Sequence, residues 1–175
     1  MLLLTEIIQA INFDGANRKW IATQNSGVFL MSADGTDEVS HFTQTNSSLF
    51  SNNVKDIAIN QKTGEVYFAT DKGIISYRGT ATEGNDNFTD VYAFPNPVTP
   101  SWSGVIAIKG LVNNTTIKIT DINGVLVYET ESLGGQAIWD GKNYKGERVS
   151  TGVYMVFCTS EDGSKKLATK ILFIN

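Results

Sequence analysis

Phe94-Pro95-Asn96-Pro97-Val98 opens a run of short β-like segments, and its reading decides the fold of residues 91–175. Pro95 and Pro97 fix φ and bias their neighbours towards extended geometry, so this stretch reads as a corner leading into strands. After it come Ser103–Ile108, Thr115–Thr120, Val125–Thr130, Gln136–Trp139, Val153–Thr159 and Lys166–Ile174, with turn signals between them. Asp121-Ile122-Asn123-Gly124 reads as a hairpin turn of the Asn-Gly type. Along Val153–Cys158, Val153, Met155 and Phe157 share one face, while Tyr154, Val156 and Cys158 share the other. Both faces are largely apolar, as in a central strand. Six or seven such strands predict an immunoglobulin-like β-sandwich.

Upstream, residues 79–90 (Gly79-Thr80-Ala81-Thr82-Glu83-Gly84-Asn85-Asp86-Asn87 and the three that follow) lack apolar periodicity and read as a flexible polar linker. Residues 1–78 repeat themselves. Asn17–Phe29 aligns with Thr63–Ile75, so that Trp20 matches Tyr67, Ala22 matches Ala69 and Thr23 matches Thr70. After one deletion Gly27 matches Gly73. A period of about 46 residues is that of one four-stranded propeller blade. Each copy reads as strands Ile7–Phe13 and Val54–Asn60, then Lys19–Thr23 and Glu65–Thr70, then Val28–Ser32 and Ile74–Tyr77. Glu38–Gln44 is a candidate fourth strand of the first copy, and the second copy has no obvious counterpart. The fold class is therefore all-β, two propeller-blade repeats followed by a sandwich. Two blades cannot close a ring, so the chain is expected either to be the tail of a longer propeller or to self-associate through its open faces.

Charge narrows the partners. The net charge is −4, with 6 basic and 8 acidic groups in residues 1–78, none and 3 in residues 79–90, and 8 and 7 in residues 91–175. Nothing here suggests nucleic acid. No apolar stretch is long enough to span a bilayer as a helix, and Met1-Leu2-Leu3-Leu4-Thr5-Glu6 is not a signal peptide. Cys158 is the only cysteine, so no disulfide forms within the chain, and its place on an apolar strand reads as a small buried hydrophobe.

Between the two copies, Thr45-Asn46-Ser47-Ser48-Leu49 and Asn52-Asn53-Val54 resemble the signature of the two-component-regulator propeller family, over about residues 5–78. Tyr67 stands where that pattern has Trp. The sandwich resembles the type A C-terminal sorting domain of the type IX secretion system. The likeness rests on Pro95-Asn96-Pro97, on Ile119-Thr120-Asp121-Ile122-Asn123-Gly124-Val125-Leu126-Val127, and on Trp139-Asp140-Gly141-Lys142-Asn143. It continues through Gly146-Glu147-Arg148-Val149-Ser150-Thr151-Gly152-Val153-Tyr154 to Lys165-Lys166. The resemblance implies address recognition by the outer-membrane translocon and its shuttle, with a sortase removing the domain from ordinary cargo.

On that resemblance the recognition motif comprises Pro95, Asn96, Pro97, Asp121, Gly124, Trp139, Asp140, Gly141, Gly152, Tyr154, Lys165 and Lys166. The address is expected near the last hairpin and the terminal strand, whose edge offers hydrogen-bonding groups. Lys165 and Lys166 suit an anionic lipopolysaccharide sugar or an acidic partner; a solvated hairpin tip is the alternative. Trp139-Asp140-Gly141-Lys142 reads as a core Trp and a tight turn, and Pro95 and Pro97 as a structural corner.

No catalytic constellation is visible. His41 is the sole histidine and lies on a predicted strand, no Cys/His group has zinc spacing, and no phosphate loop is present. Asp34-Gly35-Thr36-Asp37-Glu38 reads as a polar turn. The chain is expected not to be an enzyme and to need no cofactor or metal. The order of propeller and sorting domain resembles the propeller component of the type IX surface-attachment machinery. That implies partners among translocon, shuttle and sortase-complex proteins, anionic lipopolysaccharide as a ligand, and a place at the outer-membrane surface or in the medium after export through the periplasm. Two alternatives remain: generic cargo with a cleavable address, and the sensor ectodomain of a hybrid two-component regulator.

Overall fold

The computed structural model of the chain describes residues 4–88 and 90–174. Met1–Leu3, Thr89 and Asn175, which fall within the leader, linker and terminal-strand readings above, lie outside them. The described residues are all-β, with no helix long and apolar enough to cross a membrane. The chain divides into two compact units, Met1–Thr82 and Glu83–Asn175.

In the first unit, β1 (Ile8–Phe13), β2 (Lys19–Thr23), β3 (Val28–Met31) and β4 (Glu38–Phe42) form one antiparallel sheet in that order. The second copy gives β5 (Val54–Asn60), β6 (Glu65–Thr70) and β7 (Gly73–Arg78), a three-stranded sheet with no fourth strand. The blades stack through alternate residues. Trp20, Ala22, Val28 and Leu30 of the first pack on Val54, Ile57, Val66 and Phe68 of the second. Trp20 lies 5.7 Å, ring to ring, from both Phe42 and Phe68, and Tyr77 meets Phe42 edge-on at 4.8 Å.

The signature between the copies does structural work. Asn46 Oδ1 accepts the Thr43 N–H at 2.7 Å and its Nδ2 donates to His41 O. Asn52 Oδ1 accepts the Gln44 N–H at 2.9 Å, while its carbonyl accepts the Gly27 N–H. Asn53 Oδ1 accepts Gln9 Nε2 at 2.9 Å. Gly27 has φ +78, and a Cβ there would sit 2.1 Å from the Phe42 carbonyl oxygen, so only glycine fits.

One turn chemistry recurs in both units. Asp14, Asp121 and Asn143 each begin a hairpin turn in which the side-chain oxygen caps the N–H groups two and four residues on. The fourth residue of each, Asn17, Gly124 and Gly146, takes the left-handed conformation. The hairpin turn expected at Asp121-Ile122-Asn123-Gly124 is present, with only Gly124 of the four at positive φ; the Asp121 carboxylate organises the loop, and the register shifts at Ile119/Thr120. Asp14 is the buried member of the set. Its Oδ2 takes Arg18 Nε at 2.8 Å and Trp20 Nε1 at 3.1 Å, which ties the turn to the blade core.

In the second unit, β8 (Tyr92–Phe94), β9 (Ile106–Lys109) and β12 (Gln136–Trp139) form one sheet. The other contains β10 (Thr116–Thr120), β11 (Leu126–Glu131), β13 (Gly152–Thr159) and β14 (Lys166–Phe173), in the order β11-β10-β13-β14. Ile106, Ile108, Ile117, Ile119, Val156, Cys158 and Ile171 fill the space between them. Trp139 sits 5.8 Å from Tyr154 and 5.9 Å from Phe173. Seven strands in two sheets make the sandwich expected from the sequence.

The stretch 79–90 differs from a free tether. Gly79 donates its N–H to Gly64 O at 2.8 Å, and Ala81 and Thr82 are buried in the first unit. Asn85 N–H bonds Leu111 O at 3.0 Å, and Phe88 packs against the sandwich core. Its polar composition hides these attachments because they are made by backbone groups, by the side chains of Ala81 and Thr82, and by a single aromatic, Phe88.

Candidate functional site

The Pro95-Asn96-Pro97 corner closes the edge of the terminal strand. Asn96 reaches across it: Oδ1 accepts the Leu172 N–H at 2.9 Å, and Nδ2 donates to Lys170 O at 3.1 Å. Val98, fully buried, continues the seal. Its N–H bonds Leu172 O, and its carbonyl accepts the Ile174 N–H, both at 2.8 Å. Both X-Pro bonds of the corner are cis. The sequence reading of β14 as an open edge therefore needs correction. From Lys170 onward the outward-facing groups are taken by Asn96 and Val98, and the stretch left over is near Lys166 and Ala168.

The Trp139-Asp140-Gly141-Lys142 segment is a core Trp and its turn. Trp139 Nε1 donates to Lys142 O at 2.8 Å, and Asp140 Oδ1 caps the Lys142 N–H at 3.0 Å. Gly141 has φ +75, and a Cβ there would lie 2.9 Å from the Phe173 ring. Gly152 opens β13 opposite Phe173. Tyr154 is buried, and its hydroxyl donates to Ser150 O at 2.8 Å. Burial, then the Asp121 charge, pushes the Tyr154 hydroxyl above its ordinary pKa, so it stays a donor. Burial likewise pushes the Cys158 thiol up to about 11, which suits an inert core residue.

The last hairpin turns through Ser160–Lys165. Asp162 accepts the Ser164 N–H at 2.9 Å and the hydroxyls of Ser160 and Ser164, which hold its carboxyl down at about 2. The Lys165 ammonium donates to the Asp86 carbonyl, whereas Lys166 is exposed. The motif residues thus divide. Pro95, Asn96, Pro97, Asp121, Gly124, Trp139, Asp140, Gly141, Gly152 and Tyr154 build the scaffold, Lys165 pins the 85–86 segment, and Lys166 faces solvent.

Two features leave little trace in the sequence. One is the Asn96 clamp, for which an Asn between two prolines was the only hint. The other is the fate of the second face of β13. Tyr154, Val156 and Cys158 are buried, whereas Val153 and Phe157 remain 37% and 43% exposed. Among the described residues no second layer covers that face.

In the first unit, a groove of about 490 Å³ lies between the blades, with Phe42, Phe68, Tyr77 and Leu49 as its apolar wall and Ser47, Ser48 and Ser76 among its polar ones. It runs beside β7, the strand that lacks an outer partner.

Comparison with known proteins agrees with this geometry. Residues 92–174 match the family described as the secretion system C-terminal sorting domain, and the C-terminal unit belongs to that family. The solved structure of PorZ, an essential bacterial surface component of the type IX secretion system of Porphyromonas gingivalis, is 33% identical with a TM-score of 0.66. The match covers 97% of this chain and 23% of PorZ, so the chain spans about a quarter of that protein's length. The extracellular domains of BT4673 and BT3049 of B. thetaiotaomicron are 13% and 11% identical, with TM-scores of 0.32 and 0.34. They cover 98% and 96% of this chain, and 25% and 38% of their own. No curated protein sequence matches.

Proposed function

We infer that this chain is the C-terminal portion of a PorZ-like surface component of the type IX secretion system, non-catalytic, whose sorting domain is retained. Its work is to assist attachment of cargo at the cell surface, through contact with anionic lipopolysaccharide or with the sortase complex. The likeness to PorZ carries this reading, because it runs through both units in one order over 97% of the chain. Generic cargo would share only the sorting domain.

At the junction Ala81 and Thr82 are buried and Phe88 packs against the sandwich core, so the stretch open to a protease is confined to the exposed residues around Glu83, Asp86 and Asn87. The blade faces support a longer parent. Ile11, Phe13, Tyr67 and Ile74 are exposed on strands whose repeat equivalents or neighbours pack, and such faces are covered when further blades stack.

Intact-mass analysis of the protein recovered from the cell surface tests the reading. A species that keeps residues 91–175 is expected. A species cut between residues 79 and 90 makes the chain ordinary cargo. Binding of the protein to purified anionic lipopolysaccharide, and not to other acidic glycans, tests the ligand separately.

A further inference from the structure

Residues 83–88 belong to the second unit but to none of its strands. They run as a strap beside the turn of the last hairpin and are held at four points. A Cβ on Gly84 would lie 2.1 Å from Asn113 Oδ1 and 3.0 Å from the Asn113 backbone nitrogen, so only glycine lets the strap lie this close. Asn85 donates its N–H to Leu111 O at 3.0 Å. The Lys165 ammonium donates to the Asp86 carbonyl. Phe88 packs against the sandwich core. The strap is not packed along its whole length. A cleft of about 590 Å³ opens between Asn85 and Asp86 on one side and Val112, Ser160 and Glu161 on the other.

The groups that hold the strap are fixed without it. The Lys165 N–H bonds the Ser160 hydroxyl oxygen at 2.9 Å, and Asp162 accepts that hydroxyl at 2.8 Å. Asn114 Nδ2 donates to Glu161 at 2.9 Å, which ties the 112–114 turn to the hairpin. Val112 O accepts the hydroxyls of Thr115 and Ser132 at 2.8 and 3.0 Å. The strap is thus the part free to lift, because segments with few buried contacts open first. A protease draws an extended stretch of chain into its active site. Glu83, Asp86 and Asn87 expose their side chains, but the backbone from Gly84 to Asp86 is engaged. Cleavage there follows the fraction of molecules in which the strap is open.

We propose that the strap of residues 83–88 is a proteolytic latch on the junction, closed by Lys165 of the last hairpin and by the seat of Gly84 on Asn113, and that the junction is cut only when the strap lifts. The latch gives a physical cause for a retained sorting domain, and for that purpose it rests on the reading above.

Limited digestion of the full chain tests this. A glutamyl endopeptidase cuts after Glu83, and an aspartate-specific endopeptidase cuts before Asp86. Both cuts should be at least about tenfold slower than in a synthetic peptide of residues 79–90. Lys165→Met should speed them about threefold and Gly84→Ala about tenfold, each relative to a peptide carrying any substitution within its own sequence. Lys166→Met, at the exposed neighbour, should leave them unchanged. A chain cut as fast as the peptide overturns the proposal, as do rates that Lys165→Met and Gly84→Ala both leave unaltered. Equal acceleration by Lys166→Met overturns the part given to Lys165. Unchanged near-ultraviolet dichroism shows that the variants fold. Hydrogen exchange reads the latch without a protease. The Asn85 amide should be protected in the unaltered chain and lose protection in the Lys165→Met and Gly84→Ala variants, while the Val156 amide keeps its own. An Asn85 amide that exchanges at the free rate in the unaltered chain overturns the latch. A chain that is latched in these assays yet cut at the cell surface overturns the retention reading alone.

Discussion

The two blades carry the same repeat and meet different fates. Trp20 and Tyr67 are equivalent positions, yet Trp20 is fully buried and Tyr67 is 39% exposed. Val28 and Ile74 are equivalent, at 0% and 69%. Leu30 is buried and its counterpart Ser76 is exposed. All three residues of the first blade face the second, and those of the second face solvent. A repeat therefore specifies strands and alternation, while its burial is conferred by the neighbour. The sandwich differs again. It closes its own core, seals the end of its terminal strand with Asn96 and Val98, and leaves one sheet face bare.

Trp20→Ala should produce the largest loss, about 3–5 kcal/mol in denaturant unfolding of the chain, through lost burial and a cavity. Tyr67→Ala at the matching position should cost under about 1 kcal/mol. Equal losses would break the comparison. Next comes Asp14→Ala, which strands the buried Arg18 guanidinium and should cost about 3 kcal/mol. Asn60→Ala, which removes only two exposed turn bonds in the second blade, should cost about 1 kcal/mol or less.

Asn96→Ala should cost about 1–2 kcal/mol. It should also speed hydrogen exchange at the Leu172 amide while leaving the first unit's amides unchanged. Ile74→Ser should alter stability by no more than about 0.5 kcal/mol. Its readout is sedimentation, where self-association through the open face of the second blade should fall. The smallest effect concerns two matching hairpin turns, one in each unit. The Ser32 hydroxyl and the Thr36 N–H hold Asp34 at about 2, as Ser164 and Ser160 hold Asp162. A folded pKa below the unfolded one stabilises above the unfolded value, and that contribution disappears as pH falls through about 2. Thr36→Ala and Ser164→Ala should each raise the nearby carboxyl's NMR titration midpoint, and by a similar amount.

Much of this was legible in the residues. Alternation at Val153–Cys158 marked a strand, the Trp20/Tyr67 alignment marked blades, and Asp121-Ile122-Asn123-Gly124 marked a turn. The order of Pro95-Asn96-Pro97, Trp139-Asp140-Gly141 and Gly152-Val153-Tyr154 was enough to single out the sorting family. The attachment of 79–90 was not legible, because backbone bonds such as Gly79 to Gly64 leave no trace in side-chain composition.

Local chemistry sets strand period, turn type and the glycines, since each depends on residues within a few places along the chain. Which apolar face is covered depends on what arrives from far away in sequence. Only the folded chain shows that Asn96 crosses to Lys170 and Leu172, that Trp20 is roofed by Phe68, and that Phe157 is left in water. Periodicity marks a face as apolar, but burial requires a second surface, and that surface comes from packing.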